Sequence, residues 1–182
     1  MPACKFINVG SATAECKENF SGVANTLYLF LIDDLTAAPE YDETKNEFTE
    51  SSFTFKEGKG AVEILMKPKS GKVTASNNAG AGGFSCVYTG VVNKDMDRMA
   101  FLNRVANNAQ NFGAMVSDGT GKYYVLYTEY GIEFADEFDS GDTPDSDHGH
   151  TITITASPML YGPAKWAGTL TMQADEQVGV GG

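Results

Sequence analysis

The sequence predicts a mainly β chain with one packed α-helix, arranged as a β-sandwich or barrel. Three observations carry that prediction. Apolar or alternating runs of four to nine residues recur between Gly-, Pro- and Asp-containing breaks, only one stretch has helical periodicity, and residues 151–156 (TITITA) alternate Thr with Ile. All-β folds reach 182 residues as one unit, and no linker composition divides the chain, so a single domain over 1–182 is expected.

Residues 25–32 (NTLYLFLI) are too short for a helix and stop at Asp33 and Asp34, so they predict a central strand buried on both faces. The polar stretch 33–51 follows, with Pro39, and reads as a long loop of the kind compact domains keep for a purpose. Residues 52–56 (SFTFK) and 61–66 (AVEILM) flank a glycine turn and predict a hairpin, after which Pro68 and Gly71 break the chain. Lys56, Lys59, Lys67, Lys69 and Lys72 gather here as the basic concentration of the sequence. They read as guards on a strand edge, or as a patch that meets an acidic loop of a neighbouring subunit.

Residues 77–83 (NNAGAGG) form a flexible turn; neither phosphate-binding glycine motif is present. Residues 84–92 (FSCVYTGVV) set Phe84, Cys86 and Tyr88 against Ser85, Val87 and Thr89, a strand with one buried face. The helix is expected over 95–109. Met96, Met99, Leu102, Val105, Ala106 and Ala109 recur at helical spacing, Asp95 suits the N-cap, and Asp97 favours the positive end of the helix dipole.

Residues 112–116 and 122–128 flank Asp118-Gly119-Thr120-Gly121, whose glycines permit the positive φ angles of a hairpin turn. Both faces of 122–128 (KYYVLYT) are apolar, so one face is a candidate for cover by another chain. Residues 131–134 make a short strand leading into a second acidic loop. Residues 168–172 alternate again, and the glycine-rich end, 173–182, is expected to be mobile.

The chemistry of a catalytic site does not assemble from these residues. His148 and His150 stand beside Asp145 and Asp147 without a third marked ligand, and Asp139, Asp142, Asp145 and Asp147 lack calcium-loop spacing. Cys86 sits mid-strand, where a thiol is a small buried hydrophobe with a raised pKa, and no G-x-S-x-G elbow occurs. No catalytic residue, cofactor or metal is therefore expected. Cys4, Cys16 and Cys86 are odd in number, form no CxxC pair and read as reduced thiols; the N-terminus lacks the apolar run of a signal peptide, which suggests a cytosolic product. No apolar stretch is long enough to span a membrane, so a soluble protein is expected.

The net charge is −11, and the acids are clumped. One run holds Asp33, Asp34, Glu40, Asp42, Glu43, Glu47 and Glu50; another holds Glu133, Asp136, Glu137, Asp139, Asp142, Asp145 and Asp147. Either these are solvated loops, or they form a surface built to repel phosphate; specific nucleic-acid binding is not expected from the charge.

The order of features over residues 83–166 resembles the tail tube proteins (major tail proteins) of long-tailed bacteriophages. The strand at 84–92, the helix, the D-x-x-G turn at 118–121, Tyr130-Gly131-Ile132-Glu133, Ser140-Gly141, Asp147-x-Gly149 and the threonine-rich strand at 151–156 occur in that order. The sequence departs from the pattern at His150, where the family often has an aromatic, and residues before about 80 carry no match. The resemblance implies a virion structural protein, made in the host cytoplasm, that closes into hexameric rings stacked head to tail. It also implies contact with other tail proteins and a bore through which phage DNA passes without specific binding. On that reading Asp33, Asp34, Asp42, Glu43, Glu133, Asp136, Glu137, Asp139 and Asp142 are candidates for the lumen or for subunit contacts. The competing readings are another ring-forming virion protein, such as a tail terminator or head-completion ring, and a carbohydrate-binding module using exposed tyrosines and Trp166.

Overall fold

A computed structural model describes residues 26–78, 80, 82–92, 96–139 and 149–174, without the side chains of 96–100. It is mainly β with one α-helix. In chain order the elements are β1 (Thr26–Leu31), a 3-10 turn (Ile32–Asp34), β2 (Tyr41–Asp42), β3 (Glu47–Phe48), β4 (Val62–Leu65), β5 (Lys72–Asn77) and β6 (Phe84–Val92). Then come α1 (Met96–Asn107), a second 3-10 turn (Ala109–Asn111), β7 (Phe112–Ser117), β8 (Tyr123–Leu126), β9 (Glu133–Asp139), β10 (Gly149–Met159) and β11 (Lys165–Trp166).

The strands form two sheets, one of seven strands in the order β2-β3-β11-β8-β7-β1-β4 and one of four in the order β5-β6-β10-β9. Leu27, Leu29, Ala114, Val116 and Leu126 of the large sheet meet Cys86, Tyr88, Ile152 and Ile154 of the small one in a shared core. Leu102, Val105 and Ala109 of the helical region join that core beside Ile132 and Phe134.

The large sheet is apolar on its other face too. Phe30, Met115 and Val125 there pack under Leu35, Phe53 and Trp166, so segments of the same chain cover it. The expectation that β1 is buried on both faces holds, although β1 lies one strand in from the edge instead of at the centre. The outer face of β8 is covered by Trp166 and Phe53 rather than by another chain. Phe30 crosses from β1 to lie over its β7 partner Gly113, where an added Cβ would come within 2.3 Å of the ring.

That second face explains the main departures from the sequence-based expectations. Residues 52–56 do not pair with 61–66. β4 pairs with β1, while Phe53 and Phe55 turn onto the outer face of the sheet and make edge-on contacts with Phe30. Phe53 takes a φ of 57°, a conformation bulky residues avoid, and contacts Phe30, Phe48, Tyr127 and Trp166. Burial of the aromatic rings outweighs the local preference for a ladder.

The stretch 33–51 is not one open loop: it contains the β2–β3 hairpin, whose turn is held by Asp42 accepting from the amide and hydroxyl of Thr44. β5 was not legible because KVTASN is a polar edge strand with little buried on either face. Residues 133–139 of the second acidic run are a strand, not a loop, since Phe134 anchors them in the core. Residues 168–172 form only an isolated bridge from Met172 to Ala61. Gln173, expected to be mobile, is tied down by its backbone to Ala61 and by its side chain to Gly58 and Gly60. Asp95, the expected cap, and the side chain of Met99 lie outside the described residues.

The hairpin turn between β7 and β8 has the expected form, with Gly119 at φ 77° and Gly121 at φ 92°. Replacing either glycine by valine should cost about 1–3 kcal/mol, read as a lower urea midpoint. Phe53→Ala removes the aromatic hub while leaving the strained backbone, and should cost about 3–5 kcal/mol in the same measurement. A loss below 1 kcal/mol would show that the outer-face cover contributes little to folding.

Candidate functional site

The wet face of the four-stranded sheet is the most coherent polar surface of the fold. Cross-strand register lines up Thr74–Val87–Thr155–Glu133, Lys72–Thr89–Thr153–Ala135 and Val91–Thr151–Glu137 across it. The inward positions of the same strands are Cys86, Tyr88, Ile152 and Ile154, so period-two alternation separates a dry face from a threonine-rich one. Glu133, Glu137 and Asp139 are exposed along β9, which places the negative charge at one margin. Lys72 is exposed on β5 at the opposite margin, in the ladder of Ala135, whose same-face neighbours along β9 are Glu133 and Glu137.

Neither margin carries a further strand among the described residues, although α1 and the second 3-10 turn lie beside β9. Among the described residues β5 pairs only with β6, and β9 only with β10, so each outer row of N–H and C=O groups lacks a strand partner. All three pairings in the sheet are antiparallel. With four alternating strands, β5 and β9 run in opposite directions. A copy rotated about an axis along the strands would therefore set its β5 antiparallel to this β9.

The structure separates the candidate acids into three groups. Glu133, Glu137 and Asp139 share the wet face, whereas Asp33, Asp34, Asp42 and Glu43 belong to the region of the large sheet. The two acidic runs are thus not gathered on one surface. Asp136 is turned inward, its Oδ1 2.7 Å from Nδ1 of buried His150, so it is a core partner and not a surface acid. Asp142, His148, Asp145 and Asp147 lie outside the described residues.

The His150 ring also packs 4.9 Å from that of Phe138, and its Nε2 and the Tyr88 hydroxyl are buried without a hydrogen-bond partner among the described residues. Burial pushes the Tyr88 hydroxyl up to about 12 and raises the Cys86 thiol, which keeps both groups protonated at neutral pH. No three His, Cys, Asp or Glu side chains among the described residues are grouped so as to hold a metal. No described helix is long and apolar enough to cross a membrane. Trp166 is 1 % exposed and donates from Nε1 to the Thr49 carbonyl at 3.1 Å, which removes it from any sugar-stacking surface.

The D-x-x-G turn has a partner that sequence reasoning missed. Asp118 is buried, accepts from the amide and hydroxyl of Thr120 through Oδ1, and pairs through Oδ2 with Lys165 at 2.8 Å. Lys165 also lies over the Tyr124 ring, 4.6 Å from its centre. A separation of 47 residues left no local signal for this ion pair. Lys122, beside the turn, pairs with Glu47 of β3, so two ion pairs tie the hairpin to β11 next to it and to β3 beyond.

No family model, curated protein or solved structure matches the chain.

Burial alone would raise the Asp118 carboxyl, but the hydrogen bonds from Lys165 and Thr120 hold it down to about 2. Its folded value lies below the unfolded value of about 3.9, so its contribution is complete above about pH 4 and is lost as pH falls from about 4 to about 2. Melting temperature measured against pH should fall through that window in the parent protein. Asp118→Asn should be less stable at neutral pH, with a shallower acid slope; an unchanged slope would assign the acid sensitivity to other carboxylates.

Proposed function

We propose that this chain is a structural subunit that closes into rings through its four-stranded sheet and stacks into a tube, as a tail tube subunit of a long-tailed bacteriophage does. The observation that supports the reading is the pair of margins without a strand partner among the described residues. β5 and β9 are antiparallel, exposed and of opposite charge, so a rotated copy continues the sheet without reversing its alternation.

A rotation that closes satisfies every edge within the ring, and closure limits the open-ended aggregation that unpaired strands otherwise invite. The wet face then lines the bore. Threonine hydroxyls and the carboxylates of Glu133, Glu137 and Asp139 offer a polar, negatively charged wall. Phosphate backbones are repelled by such a surface, and without cation contacts DNA slides through instead of binding. Lys72 is drawn toward the β9 acids of the next subunit and neutralised there, leaving the lumen acidic. Six subunits per ring, a place in the virion tail and contacts with other tail proteins follow from the family resemblance. On this reading the protein is not an enzyme and needs no cofactor.

The test is assembly of the full chain, followed by negative-stain microscopy and sedimentation velocity. The parent protein should give rings or tubes. The Asn78 amide donates to the Gly83 carbonyl, so by alternation the amides of Ser76 and Thr74 face β6 and that of Ala75 faces the margin. Ala75→Pro, which removes this backbone donor from the β5 margin, should reduce rings at least tenfold while circular dichroism retains the β spectrum. Glu133→Lys with Glu137→Lys should do the same by setting like charges against Lys72. A parent protein that stays monomeric at every concentration overturns the proposal.

A further inference from the structure

The most exposed apolar side chains among the described residues lie together, on a surface the ring contact does not use. Tyr130 is 80 % exposed and Leu160 is 81 % exposed, and both line one groove of about 490 Å³ between the β8–β9 and β10–β11 connections. Its floor includes Tyr41 and Tyr161, whose rings stack in parallel at 3.7 Å. The surroundings are acidic: Glu129 lines the groove, and Glu43 accepts the Tyr161 hydroxyl at 2.9 Å. An occupant must therefore be apolar at its tip and basic around it.

The chain carries such an element at its other end. The corner between β4 and β5 reads Leu65-Met66-Lys67-Pro68-Lys69, with Leu65 52 % exposed and with Pro68 and Lys69 exposed. The Lys67 amide donates to the Val91 carbonyl, so the corner sits beside the Val91–Thr151 pair, whereas the groove is bordered by Met159 and Leu160. Thr151 and Met159 are both on β10, on the order of 25 Å apart at the rise of a strand. Groove and corner thus lie at opposite ends of the sandwich. One molecule cannot fill its own groove with its own corner, but a second copy placed end to end can.

We propose that the groove bounded by Tyr130 and Leu160 receives the Leu65–Lys69 corner of a second copy of this chain, forming the axial contact between successive rings. Leu65 and Pro68 fill the aromatic groove while Lys67 and Lys69 approach Glu43 and Glu129. The contact joins two different surfaces, so it is heterologous and repeats without limit along one axis, which is what a tube requires in addition to closed rings. The inference rests on the self-assembly reading above but uses a separate surface, so the two contacts are testable apart.

The experiment is cysteine cross-linking between two variants mixed in equal amounts, in a full chain carrying Cys4→Ser and Cys16→Ser, with one partner affinity-tagged. Tyr130→Cys mixed with Lys69→Cys should give a disulfide-linked heterodimer under mild oxidation. Glu63→Cys, exposed on β4 away from the groove, mixed with Lys69→Cys should give at least tenfold less. Thr74→Cys mixed with Ala135→Cys reports the ring contact independently. An edge link without a groove link overturns the axial contact and leaves the ring reading standing. A groove link without an edge link does the reverse, and the absence of both links overturns both. With Cys4 and Cys16 restored, a preferred link from Tyr130→Cys to either one assigns the groove to the N-terminal segment and overturns the corner as its occupant.

Discussion

The large sheet is apolar on both faces, and the rest of the fold answers to that constraint. A two-faced sheet needs two covers, because apolar surface left in water forfeits about 25 cal/mol per Å². The four-stranded sheet and α1 supply one cover. The other comes from the irregular backbone that carries Leu35, Phe53 and Phe55, and Trp166 of β11, far away in sequence, fills the same face from within the sheet. Phe53 accepts a left-handed backbone to place its ring among Phe30, Phe48, Tyr127 and Trp166. The strain is local, whereas the burial is shared by several rings.

Covering both faces of the large sheet leaves the small sheet with a different character. It contributes one dry face to the common core and keeps the other wet, and among the described residues its margins are capped by no other strand. Polarity therefore runs across the molecule, from an aromatic layer outside the large sheet, through the shared core, to a threonine and carboxylate surface. Among the described residues the unpaired strand edges of this layering lie at the margins of the small sheet. That matches the role proposed for it, in which contacts between copies do the work and the wet surface stays inert toward what passes it.

The interior holds polar features that the surface reading does not explain by itself. Asp136 sits in an acidic run yet serves buried His150, and Asp118 sits in a surface turn yet is buried against Lys165. Each is a carboxylate whose partner makes its burial tolerable, since an unpaired buried charge is far more costly than a paired one. Composition would assign both to solvent. Their true roles, holding β9 to β10 and the hairpin to β11, are structural.

By itself the sequence determined the class of fold and several of its parts. Periodicity marked β6, β10 and the helix containing Leu102 and Val105, and the glycine pair marked the turn at 118–121, because each signal lies within a few residues. The apolar character of 26–31 on both parities already required cover on two sides. Only the tertiary structure decided what supplied that cover, which strand β4 would choose, that KVTASN would be an edge strand, and that the second acidic run would begin as β9. Those outcomes depend on contacts between residues tens of positions apart, where the burial of distant rings competes with local pairing. A pattern read along the chain records the demand for burial, but not the partner that meets it.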